Sequence, residues 1–294
     1  MIPVLTNPLS GWRVSYPIHM IPKSEAKEFL TSRRARLTPE QVGLPSFGIN
    51  RRVSGLRREE VAMLAGVSVD YYIKLERGNL AGASSSVLGS LANALRLSDT
   101  ERTYLFTLAA AGAGSGVKKH EPEQWNSSVS PALQRTIDQM SNVGIYVRNS
   151  RLEVLTSNAI ADRIFPWLRA EDGSYNNIAR FTFLDPTAKD FFASWAKSAA
   201  DAVLILRMRS VNSPQDRVVH DLIRELSTKS KDFRDLWSAN EFQRHQIDVK
   251  HFNHPTLGRI DVDFQLLTLA DQSDLTMLIY SADETSETYS KLFT

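Results

Sequence analysis

With 294 residues and 42% hydrophobic content, the chain has enough apolar material for two cores and too much to be disordered throughout. It contains no cysteine, which excludes disulfides, thiol nucleophiles and iron–sulfur ligation and makes a reducing compartment, the cytoplasm, the expected setting. The net charge of +2 conceals a division: residues 1–120 hold 16 Lys and Arg against 9 Asp and Glu, and residues 121–294 hold 19 against 24. A basic front and an acidic back suit a nucleic-acid reader joined to a domain that does not touch nucleic acid, because phosphate contact supplies much of DNA affinity; charge blocks by themselves are also what solvated faces look like.

Residues 1–22, interrupted by Pro3, Pro8 and Pro17, lack the charged start and unbroken apolar centre of a signal peptide and are expected to form a flexible extension. No apolar run approaches the length that spans a bilayer, so no membrane insertion is expected. From Lys23 to about Leu37 the spacing predicts a helix with Phe29 and Leu30 inward and Arg33, Arg34 and Arg36 outward. Thr38 to Leu56, with Pro39, Gly43, Pro45, Gly48 and Gly55, is too rich in breakers for one helix. Its Arg51 and Arg52 join Arg57 and Arg58 in a basic cluster suited to backbone phosphates or a neighbouring groove; the plainer reading is a solubilising loop.

Arg57 to Gly78, RREEVAMLAGVSVDYYIKLERG, shows two short helical patterns around a turn at Gly66, with Ser68 placed to cap the second. That second helix is expected over Val69 to Arg77, with Gly78 as its left-handed C-terminal residue. At 100° per residue, Val69, Asp70, Ile73, Lys74 and Arg77 share an outward face, and Tyr72 and Leu75 point inward against Val61, Ala62, Ala65 and Val67.

L-A-G-V-S followed by E-R-G is similar to the helix-turn-helix of phage-repressor-like (XRE) regulators. With the Tyr71-Tyr72 doublet and the preceding Gly55-Leu56-Arg57-Arg58-Glu59-Glu60, the run resembles the MmyB-like transcription regulators, which join this reader to a C-terminal PAS-like ligand-binding domain. The resemblance implies that Arg58 braces a phosphate and that Val69, Asp70 and Lys74 face bases. Val69 suits a thymine methyl, and Lys74 a guanine or a phosphate. Asp70 either accepts a hydrogen bond from cytosine or complements the helix dipole. The candidate DNA-binding set is Arg51, Arg52, Arg57, Arg58, Ser68, Val69, Asp70, Tyr71, Lys74 and Arg77.

Two more helices, Ser85 to Leu95 and Asp99 to Ala110, the latter opened by Ser98 and Glu101 in capping-box spacing, complete a five-helix reader over residues 23–111. The glycines of Ala111 to Gly116 fall in an expected linker, 112–130; no strand precedes them and no Ser or Thr follows Lys118, so they do not make a phosphate loop. In residues 131–294 a helix ending near Asn142 gives way to GIYVRNSRLEVLTSN, two short β-runs hinged at Asn149-Ser150, which resembles the opening hairpin of a PAS domain. One helix is expected from Ala188 to about Arg207, and two more over Asp216 to Ser227 and Lys231 to Ala239. Strict alternation over Arg259 to Leu266 marks a half-buried strand, flanked by antiparallel partners at His245 to Phe252 and Leu275 to Ser281. The fold class is therefore multidomain: an all-α helix-turn-helix domain followed by an α+β PAS-like domain with an antiparallel sheet.

The MmyB-like resemblance continues in FLDP (Phe183 to Pro186), FRDLW (Phe233 to Trp237) and HFNHPTLGRIDVDF (His251 to Phe264). Phe264 stands where members often carry Tyr, and Asn253 where they often carry Arg. No enzyme is expected: Asp248, His251 and His254 are spaced to diverge on a strand, and Asp261 and Asp263 are an ordinary solvated pair. Cofactors and metals are not expected. The second-half aromatics are core by default, yet a curved sheet facing helices can leave an apolar cavity, and the resemblance implies a fatty-acid-like ligand there. The candidate ligand-binding set is Tyr146, Phe165, Trp167, Arg180, Trp195, Trp237, Phe264 and Tyr280, with Arg180 and Tyr280 as possible carboxylate partners. Two functions remain open: a dimeric, ligand-responsive regulator on an inverted-repeat double-stranded DNA site, or a DNA-binding regulator whose second domain serves only dimerisation or partner docking.

Overall fold

Each short helix of the front domain is started by a side chain that takes up an otherwise unsatisfied amide, and this sets where the chain turns. In the computed structural model, which describes residues 21–45, 53, 55–113, 128–169, 176–239, 249–269 and 272–293, these helices are α1 (Ile21–Arg36), α2 (Arg58–Ala65), α3 (Val69–Glu76), α4 (Ser85–Ala94) and α5 (Asp99–Gly112). A 3-10 turn, Glu40–Val42, follows α1. The Ser68, Ser84 and Ser98 hydroxyls accept from the Tyr71, Val87 and Glu101 amides, and Glu101 returns a carboxylate to the Ser98 amide. Gly66, at φ 66°, closes α2. Phe29, Leu30, Leu56, Val61, Tyr72, Leu75, Leu91 and Tyr104 fill the core, with Phe29 and Tyr104 edge to face at 5.2 Å. The expected extension over residues 1–22 lies almost wholly outside the described residues, as does most of the expected linker.

The outward placement expected for three arginines of α1 holds for Arg36 alone. Arg33 is 2% exposed and its Nε lies 2.8 Å from Glu101; the Arg34 Nε donates to Glu76 at 2.5 Å. α1 is packed by α3 on one side and α5 on another, so a single-face periodicity underestimates what it buries. Glu76, 2% exposed, also accepts from the Arg58 Nε and from the Tyr72 hydroxyl at 3.2 Å. One carboxylate thus ties α3 to α1 and α2.

In the second domain α6 (Pro131–Gln139) leads into β1 (Gly144–Asn149) and β2 (Val154–Ser157). The helices α7 (Ala159–Ile164), α8 (Ile178–Leu184), α9 (Ala188–Phe191), α10 (Trp195–Asn212), α11 (Arg217–Lys229) and α12 (Lys231–Ala239) follow. The chain then returns as β3 (Lys250–His254), β4 (Gly258–Leu269), β5 (Gln272–Ser281) and α13 (Glu287–Phe293). The antiparallel sheet has the order β2-β1-β5-β4-β3. One face, with Tyr146, Val262, Phe264, Leu278 and Tyr280, meets the aromatics of α7 to α9; the other, with Ile145, Val147 and Leu275, meets Ile137 of α6. Because both faces are covered, all six residues of β1 are buried and it shows no alternation. Asn158 joins the pieces: its Oδ1 accepts from the Ile145 and Ala161 amides, and its Nδ2 donates to the Met140 and Val143 carbonyls.

A single helix over 188–207 is corrected to two. Phe192 bridges to Phe252 on the edge strand and the Ala193 amide donates to the His251 carbonyl at 3.3 Å, so edge pairing and the Phe191–Phe192–Phe252 cluster override helical continuation. The second piece, α10, is where the domains meet. Leu204, Met208 and Val211 pack on the front core, and Arg207, 2% exposed, donates to Glu25 of α1 at 2.6 Å, where the Tyr104 hydroxyl also donates at 2.8 Å. The Arg207 guanidinium stacks over Trp237 at 4.5 Å and donates to its carbonyl. Among the described residues no helix is long and apolar enough to cross a membrane.

Two stability outcomes are expected. Gly78 stands at φ 86°, and a Cβ there would sit 2.1 Å from the Lys23 carbonyl oxygen, so Gly78→Ala should cost more than the ~1–2 kcal/mol of a left-handed alanine, read from urea unfolding. Burial pushes the Glu76 carboxyl up, but hydrogen bonds from Arg34 and Arg58 outweigh it and hold it below its ordinary 4.5. Its stabilisation is therefore complete above that value and lost as pH falls through the lower folded value. Glu76→Gln should lower neutral-pH stability by about 3–5 kcal/mol and flatten the acid side of a stability–pH profile followed by circular dichroism.

Candidate functional site

The recognition helix presents what its capping and anchoring leave free. Tyr72, Leu75 and Glu76 face inward, whereas Val69, Asp70, Lys74 and Arg77 are exposed on one side of α3 and Ile73 is half-buried between the two sets. Val69 is 36% exposed, an apolar residue at the first turn of an otherwise charged face. Ser68 is exposed, and its oxygen is engaged by the Tyr71 amide as the cap. Tyr71 is half-buried against the core. Arg57 precedes α2, its amide held by Glu60 at 2.6 Å. Arg58 has its Nε on Glu76 while its side chain remains 51% exposed, so it anchors α2 to α3 and still offers N–H groups outward. Arg51 and Arg52 lie outside the described residues. Ser68, Val69, Asp70, Lys74 and Arg77 are thus exposed along α3, Arg58 is joined to the C-terminal end of that helix through Glu76, and Arg57 stands at the start of α2.

The second site is a cavity of about 90 Å³ between the sheet and the helices. Tyr146, Phe165, Trp167, Phe264 and Tyr280, all expected from the sequence, line it. The Phe165 ring meets Tyr280 edge to face at 5.0 Å, and Trp167 stacks on Phe181 at 4.4 Å. The Tyr146 and Tyr280 hydroxyls lie 3.3 Å apart, and burial pushes both phenols up, so both remain protonated donors at neutral pH. Among the described residues the buried Trp167 Nε1 has no hydrogen-bond partner.

Three expected wall residues stand elsewhere. Arg180 is turned outward into an ion pair with Glu225 at 3.0 Å. Trp195 is absent from the cavity wall: it donates its Nε1 to the Thr182 carbonyl at 3.0 Å and packs edge-on against Phe183 at the margin of the sheet-side core. Trp237 stacks on Phe233 and under Arg207, so it serves the contact between domains. Polar wall residues that the sequence reading missed are Arg148, Thr182, Ser198, Asp201 and Lys250. Arg148 alone had a local signal, a charge inside a run that reads as a buried strand. His251 pairs with Asp261 on the exposed face at 2.6 Å, whereas His254 is buried, with Nδ1 accepting the Thr256 and Leu257 amides and burial holding its pKa down. The two histidines diverge as their spacing predicts, and Asp248 lies outside the described residues.

A second space adjoins the cavity. This cleft, of about 560 Å³, lies between α5, α10 and the sheet and shares Arg148, Ile205 and Leu266 with the cavity wall.

A family model described as the MmyB-like transcription regulator ligand binding domain matches residues 129–294, and one described as a helix-turn-helix domain matches residues 28–105. No curated protein matches the chain. The first match spans more than half of the sequence and coincides with the sheet, its covering helices and the cavity; the second coincides with the capped helices around α3. The chain belongs to the MmyB-like transcription regulators, DNA-binding proteins that carry a ligand-binding domain behind a helix-turn-helix.

Proposed function

We propose that the protein works in the cytoplasm as a homodimer on an inverted-repeat operator, and that an apolar small molecule such as a fatty acid, bound in the aromatic cavity, modulates its DNA affinity. The observation that carries the ligand reading is the position of the cavity: α10 contributes Ser198, Asp201, Ala202 and Ile205 to its wall and packs Leu204, Met208 and Val211 on the DNA-binding domain. A molecule that prefers one placement of α10 acts on both domains. Typical couplings of about 1–3 kcal/mol would change operator affinity about five- to 150-fold. The dimer reading rests on base count, since one short recognition helix reads too few bases to find a site alone; half-sites about 34 Å apart, or a multiple, are expected.

The exposed row Val69, Asp70, Lys74 and Arg77 supports direct base reading by α3. In titrations against a site selected from random DNA, Lys74→Ala should weaken specific binding by about 1–3 kcal/mol and change base preference. Arg58→Ala should weaken binding to all sequences and lower the salt slope by about one, through a lost phosphate contact and the loosened Glu76 anchor. Unchanged affinity in both would overturn this docking.

The reading in which the second domain only dimerises gains from the small size of the cavity, since ligand pockets are more often about 300–1,000 Å³. Native mass spectrometry with parallel denaturing extraction decides between them. A co-purifying amphiphile, lost when Ala202→Phe fills the wall, is the expected result. Equal operator affinity of stripped and loaded protein across a salt series would sink the ligand-responsive reading.

A further inference from the structure

The aromatic cavity and the cleft between the domains lie end to end along one face of the sheet. On β5, Tyr280 and Leu278 line the cavity, and Thr276 and Asp274, the next positions on the same face, line the cleft. β1 repeats the pattern, with Tyr146 in the cavity wall, Arg148 in both and Ser150 in the cleft wall. The register sets Tyr146 beside Leu278 and Arg148 beside Thr276, so the two strands pass from one space to the other at the same level. α10 runs alongside: Ser198 and Asp201 belong to the cavity, Ile205 to both, and Met208 and Asn212 to the cleft. At ~3.3 Å per residue the β5 part of this row, Tyr280 to Asp274, is about 20 Å long. The two spaces are parts of one groove, parted by a constriction of Arg148, Ile205 and Leu266, the residues they share.

Other parts of the cavity wall are closed by contacts between its own residues. Phe252 meets Phe165 at 5.2 Å and Phe192 at 6.0 Å, which seals the end away from the cleft. Between β3 and α10 the Lys250 ammonium lies 3.8 Å from Asp201 and 5.2 Å from the centre of the Phe264 ring, a bridge from helix to sheet. Among the described wall residues Leu266 is the most exposed, at 39%, and it stands in the constriction. We infer that the constriction is the entrance to the cavity, so that a ligand enters and leaves through the cleft between the domains, past α5. Thr100 and Thr103 of α5 belong to the cleft wall, and the width of the passage is therefore set by how the two domains sit. Ligand exchange then depends on domain placement even where ligand affinity does not. This rests on the ligand reading given above and adds the route by which that site is filled.

The test uses the full chain and fluorobenzene, a compact uncharged ring suited to an aromatic wall, with affinity and exchange rates read by fluorine NMR. Thr103→Trp narrows the cleft from an exposed position of α5 that is no part of the cavity wall. It should slow association and dissociation alike by about tenfold and leave the affinity unchanged. Leu266→Ala, which widens the constriction, should speed dissociation by a similar factor. Both positions are exposed, so neither change disturbs a core. A route past the half-buried Trp167 and Ile178 would leave both rates of Thr103→Trp at their wild-type values, and that result overturns the entrance. Unaltered dissociation from Leu266→Ala overturns it as well. So does a loss of affinity in Thr103→Trp with dissociation no slower, which would make the cleft itself the binding site. No bound signal in the wild type overturns the ligand reading and the entrance with it.

Discussion

The relation between the domains depends on one buried guanidinium. Arg207 leaves α10 and reaches Glu25 of α1, which also accepts from Tyr104 of α5, while Trp237 of α12 takes the other edge and the face of the same group. Each partner is the answer to a charge removed from water, and a buried charge tolerates little displacement before it is left without a partner. α10 therefore cannot slide or rotate relative to the DNA-binding domain by small continuous steps. It either keeps this arrangement or exchanges it for another. That property makes α10 suited to carry a difference in binding free energy from its cavity side to its other side, because packed interfaces with buried polar partners switch rather than stretch.

Inside the DNA-binding domain the same chemistry is used for orientation. Glu76 and Glu101 are buried carboxylates, each met by arginine, and they fix the angles among α1, α2, α3 and α5 in a core otherwise made of leucine, alanine and aromatic rings. Buried ion pairs contribute little net stability compared with apolar residues of similar size; their contribution is register. The charges inside the domain position the recognition helix, and those outside it, Lys74 and Arg77, remain on its open face.

The fold was legible wherever one local signal sufficed. Capping serines, Gly66, Gly78, the turn at Asn149-Ser150 and the alternation from Arg259 to Phe264 each act over a few residues, and the corresponding elements stand where those signals put them, although Leu266, expected on the buried side of that strand, is 39% exposed. What stayed hidden depends on partners far along the chain. Arg33 and Arg34 read as solvated because Glu101 and Glu76 are distant in sequence, and the break at Phe192 reads as helix because Phe252 supplies its competing contact. The cavity was half legible for the same reason. Its aromatic residues announce themselves by type, whereas a polar wall residue such as Arg148 is distinguished from a surface arginine only by what closes over it.

The sheet order carries a consequence for how the chain is made. β5 lies at the centre, between β1 and β4, although it is the last strand among the described residues, and the pairing of Tyr146 with Leu278 joins positions more than a hundred residues apart. The capped helices of the front domain find most of their partners within the first 112 residues and can pack before the sheet is made. The β1–β2 hairpin can form early, but until residues 250–281 bring β3, β4 and β5 together it remains a ribbon with a bare edge and exposed rings. Such long-range closure is slow, and it is the interval in which unpaired edges find other chains. The ligand-binding half of this regulator is therefore the half whose assembly waits longest, on residues 272–281, and the half most exposed to misassembly in that interval.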